Sequence, residues 1–418
     1  MMEISKVIEK HLRMIFVTFT GVIYALLLIL ASRQWYFFDE WDLIGPRYQL
    51  FLDGNWPQFL FSPLVDHLTA LNVVVYALVV KLFGIESYLL VGFLIVTSHL
   101  AVSFLVREII RSRGHSRKFY NTAFFFVLLF GPGIENILWG VQLGYNVAII
   151  LALGQYLLLR LNIAKYSKLA FVFGVTSILC QSISVVFLIS LLFLLIAERR
   201  FLLAAFQSGL PLLLYGLWNF TYGMSAVTPG FTINPRLISN YTEAFLTELS
   251  NVTLQLPGIG FMSYFIIFTA VAQLLIRPKH SHDLLYFLSA FVIYMISVTI
   301  TRAGLGAEQA TSSRYMYVGV ILLLIIGLEI FKSLPKPSGE LFKGLVSLVC
   351  MFAIFTNGII LYSSARDREI FNQETRRIVN EFVSRDDFAL QPDDLQIDPS
   401  RNPQIKVGDL RRVYDLRP

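Results

Sequence analysis

Charged residues are scarce in this chain, and their scarcity excludes a soluble globular fold. Asp, Glu, Lys and Arg make up 15% of the 418 residues, whereas 56% of the residues are hydrophobic. Water cannot solvate a chain of that balance, which is typical of proteins with several membrane spans. Alternating polar and apolar strands are also missing. Long apolar runs between short charged links instead favour an all-α polytopic membrane protein.

Cysteine is nearly absent. The two cysteines, Cys180 and Cys350, both fall inside apolar runs, so we interpret them as small core residues. They indicate no disulfide framework and no cysteine-based metal cluster. The net charge of +6 does not indicate a nucleic-acid partner, because the basic residues are distributed according to membrane topology.

Eleven apolar segments are predicted to span the membrane as helices, since about 20 residues at roughly 1.5 Å each cross a bilayer core. The first is too long for a signal-peptide core and no small-residue cleavage site follows it, so we interpret it as an anchor. Two short segments, 169–181 and 185–197, are expected to form a helical hairpin. The predicted spans are 14–32, 88–106, 119–132, 141–159, 169–181, 185–197, 201–222, 258–276, 284–301, 314–331 and 341–363.

Basic residues orient these spans. With the N-terminus in the cytoplasm, the cytoplasmic links hold 18 of the 34 Lys and Arg residues, the outer links hold 6 and the tail holds 10. Positive charge favours the cytoplasmic side. We therefore expect a protein of the cytoplasmic membrane with a transmembrane domain, 1–363, and an extracytoplasmic charged C-terminal tail, 364–418.

The long link between the first two predicted spans, residues 33–87, is expected to carry interfacial helices. Its second half, 66–83, is apolar but interrupted, and a full span there would place the basic loop 107–118 outside the cytoplasm. We therefore predict a helix in or against the interface, with a shorter helix before it at 41–52. The alternative is that 66–83 spans the membrane and that an error elsewhere in the predicted spans compensates for the extra crossing.

An unusual stretch, WYFFDEWD, directly follows the first predicted span. It places three carboxylates, Asp39, Glu40 and Asp42, among five aromatic residues. Aromatic side chains are common at the membrane interface, but unpaired charge near lipid is costly. The stretch is therefore either the solvated start of a loop or a general base held in a cleft at the membrane surface.

Other polar residues are expected at the same membrane face, at the outer ends of spans or in outer links. A transporter would show ionisable groups in the middle of its spans, and here those positions are nearly free of charge. The pattern favours a site at the outer membrane–water boundary. A carboxylate there can take a proton from a hydroxyl, and a cation can neutralise a phosphate leaving group. These are the parts needed for sugar transfer from a lipid-linked phosphate.

Each candidate residue also has a structural alternative. An acid or His can pair locally or cap a helix, an Arg at a span end can snorkel to the interface, and a Trp can belong to the aromatic belt. Asp39 is our first candidate for the base, with Glu40 and Asp42 as lesser catalytic candidates. The expected substrate-binding residues are Asp66, His67, Glu135, Trp139, Gln142, Arg302 and Arg314.

Several motifs occur in a characteristic order over roughly residues 10–200, with one further motif later. They are Asp39-Glu40, Asp66-His67, Lys81-Leu82-Phe83-Gly84, the basic loop 107–118, Glu135 and the later Ser313-Arg314-Tyr315. This order resembles the GT-C superfamily of polyprenyl-phosphate-sugar glycosyltransferases, which includes protein O-mannosyltransferases and lipid A aminoarabinose transferases. One departure is that the proline usual after the acidic–basic pair is missing after His67, while Pro63 precedes it.

The resemblance implies a GT-C-like helical fold and transfer of a sugar, with inversion, from a polyprenyl-phosphate donor to an extracytoplasmic glycan, lipid or protein. Asp39 would accept the hydroxyl proton, and Arg302 or Arg314 would hold the phosphate. No cofactor is certain, but Mg²⁺ or Mn²⁺ is possible because Asp39, Asp42 and Glu135 are hard ligands. The alternative is a non-catalytic carrier or flippase of lipid-linked saccharides, and a weaker one is an assembly partner in an envelope complex.

Overall fold

The computed structural model describes residues 2–226, 228–278, 281–333 and 340–414 of the chain, so the last four residues of the predicted tail lie outside it. Within the described ranges the chain is all-α and contains no strand. The helices are α1 Met2–Ser32, α2 Glu40–Ile44, α3 Pro46–Leu52, α4 Trp56–Phe61, α5 Ala70–Phe83, α6 Leu89–Ser112, α7 Arg117–Leu128, α8 Ile134–Leu138, α9 Leu143–Cys180, α10 Ser184–Ala197, α11 Phe201–Ala204, α12 Leu210–Thr221, α13 Pro235–Leu254, α14 Phe261–Ile276, α15 His282–Arg302, α16 Ser313–Ser333, α17 Glu340–Val383 and α18 Val407–Tyr414.

Seven helices in the described part are long and apolar enough to cross a membrane, which makes this a multi-pass membrane protein. The number is eight if the bent pair Arg117–Leu128 and Gly131–Leu138, which meet at 51°, forms one span. The predicted count of eleven is not confirmed. Two of the predicted spans, α10 and α14, have 14 and 16 residues and are short for a bilayer core. Two others fall within the single helix α9.

The chain folds back inside α9. Asn162 has φ −166° and ψ 102°, which is extended backbone between helical stretches. A Cβ atom on Gly154 would lie 3.0 Å from the ring of Phe173. In an uninterrupted helix these two positions would be about 28 Å apart at 1.5 Å per residue. The arms 143–161 and 163–180 therefore run antiparallel, with the turn at Asn162.

The link between the first two predicted spans, residues 33–87, forms four short helices, α2 to α5. The helix predicted at 41–52 is broken into α2 and α3 at Gly45, which precedes Pro46. The helix predicted at 66–83 is α5, which begins at Ala70 and has 14 residues. That length is short for a membrane span, and its position in the interface stays a prediction.

Residues 384–414 fold back onto this link, and we call them the C-terminal cap. Trp35, Tyr36 and Trp41 of the link are at most 4% exposed and form one apolar cluster with side chains of the cap. The cap residues in that cluster are Ile405, Leu410 and Val413. Burial of apolar surface at roughly 25 cal/mol per Å² holds the cap in place. The cap and the link therefore form one packed layer over the end of α1.

At Gly45 the backbone lies in close contact with the C-terminal cap. A Cβ atom on Gly45 would lie 2.5 Å from Cγ of Asp409, closer than real Cβ contacts allow. We expect Gly45→Ala to displace α18 and to increase cleavage of the cap in limited proteolysis, since overpacking typically costs about 1–3 kcal/mol. Gly216→Ala is the matched control, because no atom lies within 4 Å of its added Cβ. Equal cleavage of Gly45→Ala and the wild-type protein would show that the cap does not depend on this contact.

Charged groups also cluster at the start of α15, the end opposite to Arg302. Asp283 accepts a 2.7 Å hydrogen bond from the hydroxyl of Tyr156 and pairs with Arg113 and Arg160. Since α15 has 21 residues, its two charged ends are about 30 Å apart. The network joins α6, α9 and α15 at one end of the bundle. A different set of polar residues, which includes Arg302, lies at the other end.

Candidate functional site

Two adjoining cavities lie where α15 ends and α16 begins. The small cavity has a volume of about 220 Å³, and the large cavity about 520 Å³. Asp39, Gln309 and Arg314 line both of them, so the two cavities meet at these side chains. The small cavity continues into the core, because Tyr145 and Tyr315 in its wall belong to the main apolar cluster of the bundle.

Eight of the ten residues predicted from the sequence line these cavities. The small cavity is lined by Asp66, His67, Gln142 and Arg302, the large cavity by Glu135 and Trp139, and both by Asp39 and Arg314. They come from five separate parts of the chain, since residues 39, 66–67, 135–142, 302 and 314 are far apart in sequence. The two others, Glu40 and Asp42, line neither cavity.

Arg302 is held firmly by its neighbours. Its Nη2 donates to both carboxylate oxygens of Asp66 at 3.0 and 3.2 Å, and its Nε donates to the hydroxyl of Tyr315 at 2.9 Å. Its Nη1 donates to the carbonyl of Pro229 at 3.1 Å. These bonds occupy most of the five N–H donors of Arg302. Arg302 therefore mainly holds the cavity wall together and makes the electrostatic potential in the cavity more positive. Asp66 also lies 3.1 Å from Nε2 of His67.

Arg314 is held more loosely. Its Nε is 4.0 Å from Oε2 of Glu135, and its guanidinium lies 5.4 Å from the ring centroid of Tyr315 and 5.8 Å from that of Trp139. A guanidinium over an aromatic face is attracted to the ring, but this contact does not use its N–H donors. The Arg314 side chain is 30% exposed, so its donors can reach a ligand in either cavity.

Asp39 stands at the junction, directly before α2. Burial raises the pKa of its carboxyl group above the usual value, nearby Arg314 opposes this rise and Glu135 adds to it. A carboxylate with a raised pKa is a better proton acceptor than a fully solvated one. The backbone reaches this position through Phe38, whose φ of 43° lies in the left-handed region. Such a conformation costs about 1–3 kcal/mol and persists only where the surroundings impose it.

Glu40 points away from the cavities although it is the next residue. It is 0% exposed and accepts hydrogen bonds from the hydroxyl groups of Tyr88, at 2.7 Å, and Tyr76. The backbone N–H of Phe37 donates to it at 2.7 Å. Burial raises the pKa of Glu40 to about 7. The geometry therefore favours Asp39 over Glu40 as the proton acceptor and gives Glu40 a role in holding the loop.

The raised pKa of Glu40 predicts that ionisation of this group weakens the fold. In the unfolded chain the carboxyl ionises near 4.5, whereas in the folded protein it ionises at about 7. Between these values the unfolded state binds fewer protons, so the free energy of unfolding falls as the pH rises. The full effect is about 3 kcal/mol, present above pH 7 and absent below pH 4.5.

Glu40→Gln is therefore expected to gain stability relative to the wild-type protein as the pH is raised from 4.5 to 7. Thermal unfolding of both proteins in detergent across this range measures the difference. Glu243→Gln is the control, because Glu243 is an exposed acid on α13 at the same end of the bundle. A difference between Glu40→Gln and wild type that does not change with pH would contradict the prediction.

Asp42 faces the C-terminal cap. Burial raises the pKa of its carboxyl group to about 6, and the negative charges of Asp39 and Asp409 add to the rise. Among the described residues, no group of three or more His, Cys, Asp or Glu side chains is arranged to hold a metal ion. The possible Mg²⁺ or Mn²⁺ ion at Asp39, Asp42 and Glu135 stays a prediction.

Several residues of the site were not found from the sequence. Arg368 of α17 lies 4.3 Å from the ring centroid of Phe37 and 5.3 Å from that of Trp139. Its Nε and Nη2 atoms are buried and donate no hydrogen bond. Phe37 and Phe38 line the large cavity. The aromatic stretch drew attention to the two Phe residues, but the position of Arg368 beyond the last predicted span gave no signal.

Comparisons with known proteins assign no family to this chain. No family model, no curated protein and no solved structure matches it. The function therefore has to be argued from the site and from the order of its motifs.

Proposed function

We propose that the protein is a membrane glycosyltransferase that moves a sugar from a polyprenyl-phosphate donor to an extracytoplasmic acceptor. The observation that supports this most directly is the meeting of two cavities at a half-buried carboxylate, Asp39, and a loosely held guanidinium, Arg314. Two reactants can thus approach one acid and one cation from two sides. Holding both in this geometry supplies the proximity that group transfer needs.

The small cavity suits a sugar phosphate. Arg302, Arg314 and His67 line it, and the acids among its described lining residues are Asp66, which already pairs with Arg302, and Asp39 at the junction. Guanidinium groups bind phosphate oxygens through charge-assisted hydrogen bonds. Arg314 would contact the phosphate, while Arg302 would hold Asp66 and His67 in place.

The rim of the same cavity is apolar, so the lipid tail of a bound donor can extend over it towards the bilayer. Val65 and Leu305 line it and are 40% and 44% exposed. The neighbouring link carries Phe231 and Ile233, which are 62% and 77% exposed. Exposed apolar side chains of this density mark contact with lipid or a partner. A polyprenyl chain would pass over them into the bilayer.

The reaction would be a direct displacement at the anomeric carbon. Asp39 accepts the proton of the acceptor hydroxyl as its oxygen forms the new glycosidic bond. The bond from the anomeric carbon to the phosphate oxygen breaks, and that oxygen keeps the electron pair. Arg314 stabilises the charge that develops on the leaving phosphate. A single displacement inverts the configuration at the carbon.

Reconstitution into liposomes tests this proposal against a carrier or flippase. Liposomes are loaded with radiolabelled polyprenyl-phosphate sugar, and both product formation and movement of the lipid across the membrane are followed. A glycosyltransferase yields labelled acceptor only when acceptor is added. Movement of the lipid without any acceptor, with no labelled product in its presence, would establish the carrier instead. Mass analysis of envelope glycans with and without the protein, looking for a single missing residue, identifies the natural product.

A further inference from the structure

We propose that the large cavity is a saccharide-binding cleft that accepts a neutral or amino-bearing pyranose ring. Calling this ring the acceptor rests on the proposed function, but the binding itself does not. The argument uses three features of the cavity: its aromatic walls, its excess of carboxylates and the strained residue that shapes it. Together they select a glycan over the lipid and protein acceptors that the sequence leaves open.

Aromatic rings form two walls of the cleft. The ring centroids of Phe37 and Trp139 lie 5.5 Å apart at 80°, and those of Phe37 and Phe38 lie 4.3 Å apart at 90°. All three rings line the cavity. One face of a pyranose consists of C–H groups and is apolar, so it packs against the face of an aromatic ring, as apolar groups generally do. Trp139 is 4% exposed and packs behind the two Phe rings, whereas Phe37 and Phe38 are half-buried and offer the apolar surface on which a sugar can pack.

Carboxylates form the polar part of the cleft. Among the described residues, Asp39, Glu135 and Glu308 line it together with the cation Arg314, and the guanidinium of Arg368 lies against the rings of Phe37 and Trp139. Ionised carboxylates only accept hydrogen bonds, so they suit the hydroxyl groups of a sugar and repel phosphate. Oε2 of Glu135 is buried beside Arg314, whose Nε lies 4.0 Å away, so this oxygen faces the cation. Glu308 is exposed and Asp39 is half-buried, so these two carboxylates can accept from the hydroxyl groups of a bound sugar.

The shape of the cleft depends on Phe38. Its left-handed φ of 43° is unusual for an aromatic residue. Two contacts impose it: the side-chain oxygen of Asn402 in the C-terminal cap accepts from the backbone N–H of Phe38 at 3.3 Å, and the ring stacks on Phe371 at 16°. Strain that the surroundings maintain is common at binding sites. The cap thereby sets one wall of the cleft.

The test is saturation-transfer NMR of the purified full chain in nanodiscs with a panel of free gluco-, galacto-, manno- and N-acetylglucosamine oligosaccharides. We expect at least one series to bind. Phe38→Asn removes the ring while Asn still adopts the left-handed conformation, and it should weaken that binding about tenfold. Glu308→Gln, at an exposed carboxylate, should weaken it severalfold through loss of a charge-assisted hydrogen bond.

Glu243→Gln serves as the control, because Glu243 is exposed at the same end of the bundle and lines neither cavity. This variant should bind as the wild-type protein does. The proposal is overturned if no series binds, if Phe38→Asn binds like the wild-type protein, or if a Ser/Thr peptide or a phospholipid competes for the site where saccharides do not. Saccharide binding without any transfer in the liposome assay would contradict the proposed glycosyltransferase activity but would still support a saccharide-binding cleft.

Discussion

Asp39→Asn is expected to lower the rate of sugar transfer by about 10³-fold while binding of the polyprenyl-phosphate donor persists. The amide has nearly the shape of the carboxylate but cannot accept the hydroxyl proton, and general-base catalysis contributes about 10²–10⁴-fold. Under the proposed mechanism the donor should still bind, because Arg314 and not Asp39 would hold its phosphate. Single-turnover transfer and donor binding, measured on the same purified protein, separate the two effects.

Asp42→Asn is the matched control for this change. Asp42 lies three residues further along the chain, in α2, and lines neither cavity, and the pKa of its carboxyl group is raised to about 6. Its replacement should leave the transfer rate within a few-fold of wild type. If transfer survives both Asp39→Asn and Asp42→Asn, the enzymatic interpretation fails.

The second large effect is expected at Arg314. Arg314→Gln should reduce kcat/KM by about 10²–10³-fold, because it removes the cation that meets the developing charge of the phosphate. Arg314→Lys should recover part of this loss, since the charge remains but the planar fork of donors is gone. Rates of transfer against donor concentration measure both variants.

Arg236→Gln is the control, because Arg236 is exposed on α13 at the same end and lines neither cavity. It should change kcat/KM little. Activity of Arg314→Gln within threefold of wild type would show that Arg314 is a snorkelling residue at the start of α16 and not a phosphate ligand.

Some of the site could be predicted because membrane proteins confine charge to their ends. Once the spans and the basic links were placed, the remaining polar residues had to share one end of the bundle, since hydrocarbon tolerates unpaired charge poorly. That reasoning brought Asp39, Asp66, Glu135, Arg302 and Arg314 to one region without any contact information. It could not distinguish two adjoining cavities or decide which residue pairs with which.

Neighbouring residues show where sequence reasoning stops. Asp39 and Glu40 look equivalent in sequence, yet successive helical residues point about 100° apart, so one faces the cavities and the other is buried against Tyr76 and Tyr88. Likewise, Arg302 and Arg314 look alike in the sequence, because each is a cation at the end of a predicted span. Only the position of Asp66 shows that Arg302 is already paired.

The number of spans illustrates the same limit. Apolar length alone separates spans poorly when short helices such as α10 and α14 pack among longer ones and when α9 reverses at Asn162. A turn of extended backbone inside an apolar run has no strong compositional signature, because burial in protein satisfies its polar groups. The arrangement of the helices therefore depends on their mutual packing.

The amino-acid sequence by itself determined that this protein is a helical membrane protein and predicted that its candidate site residues share one end of the spans, because composition and charge placement follow from the bilayer as solvent. Only the tertiary structure decided that the C-terminal cap packs on the first outer link, that Arg368 stacks on Phe37 and Trp139, and that two cavities meet at Asp39. These contacts join residues that lie far apart in the sequence. Local patterns do not encode such pairs, since they form only when the whole bundle closes.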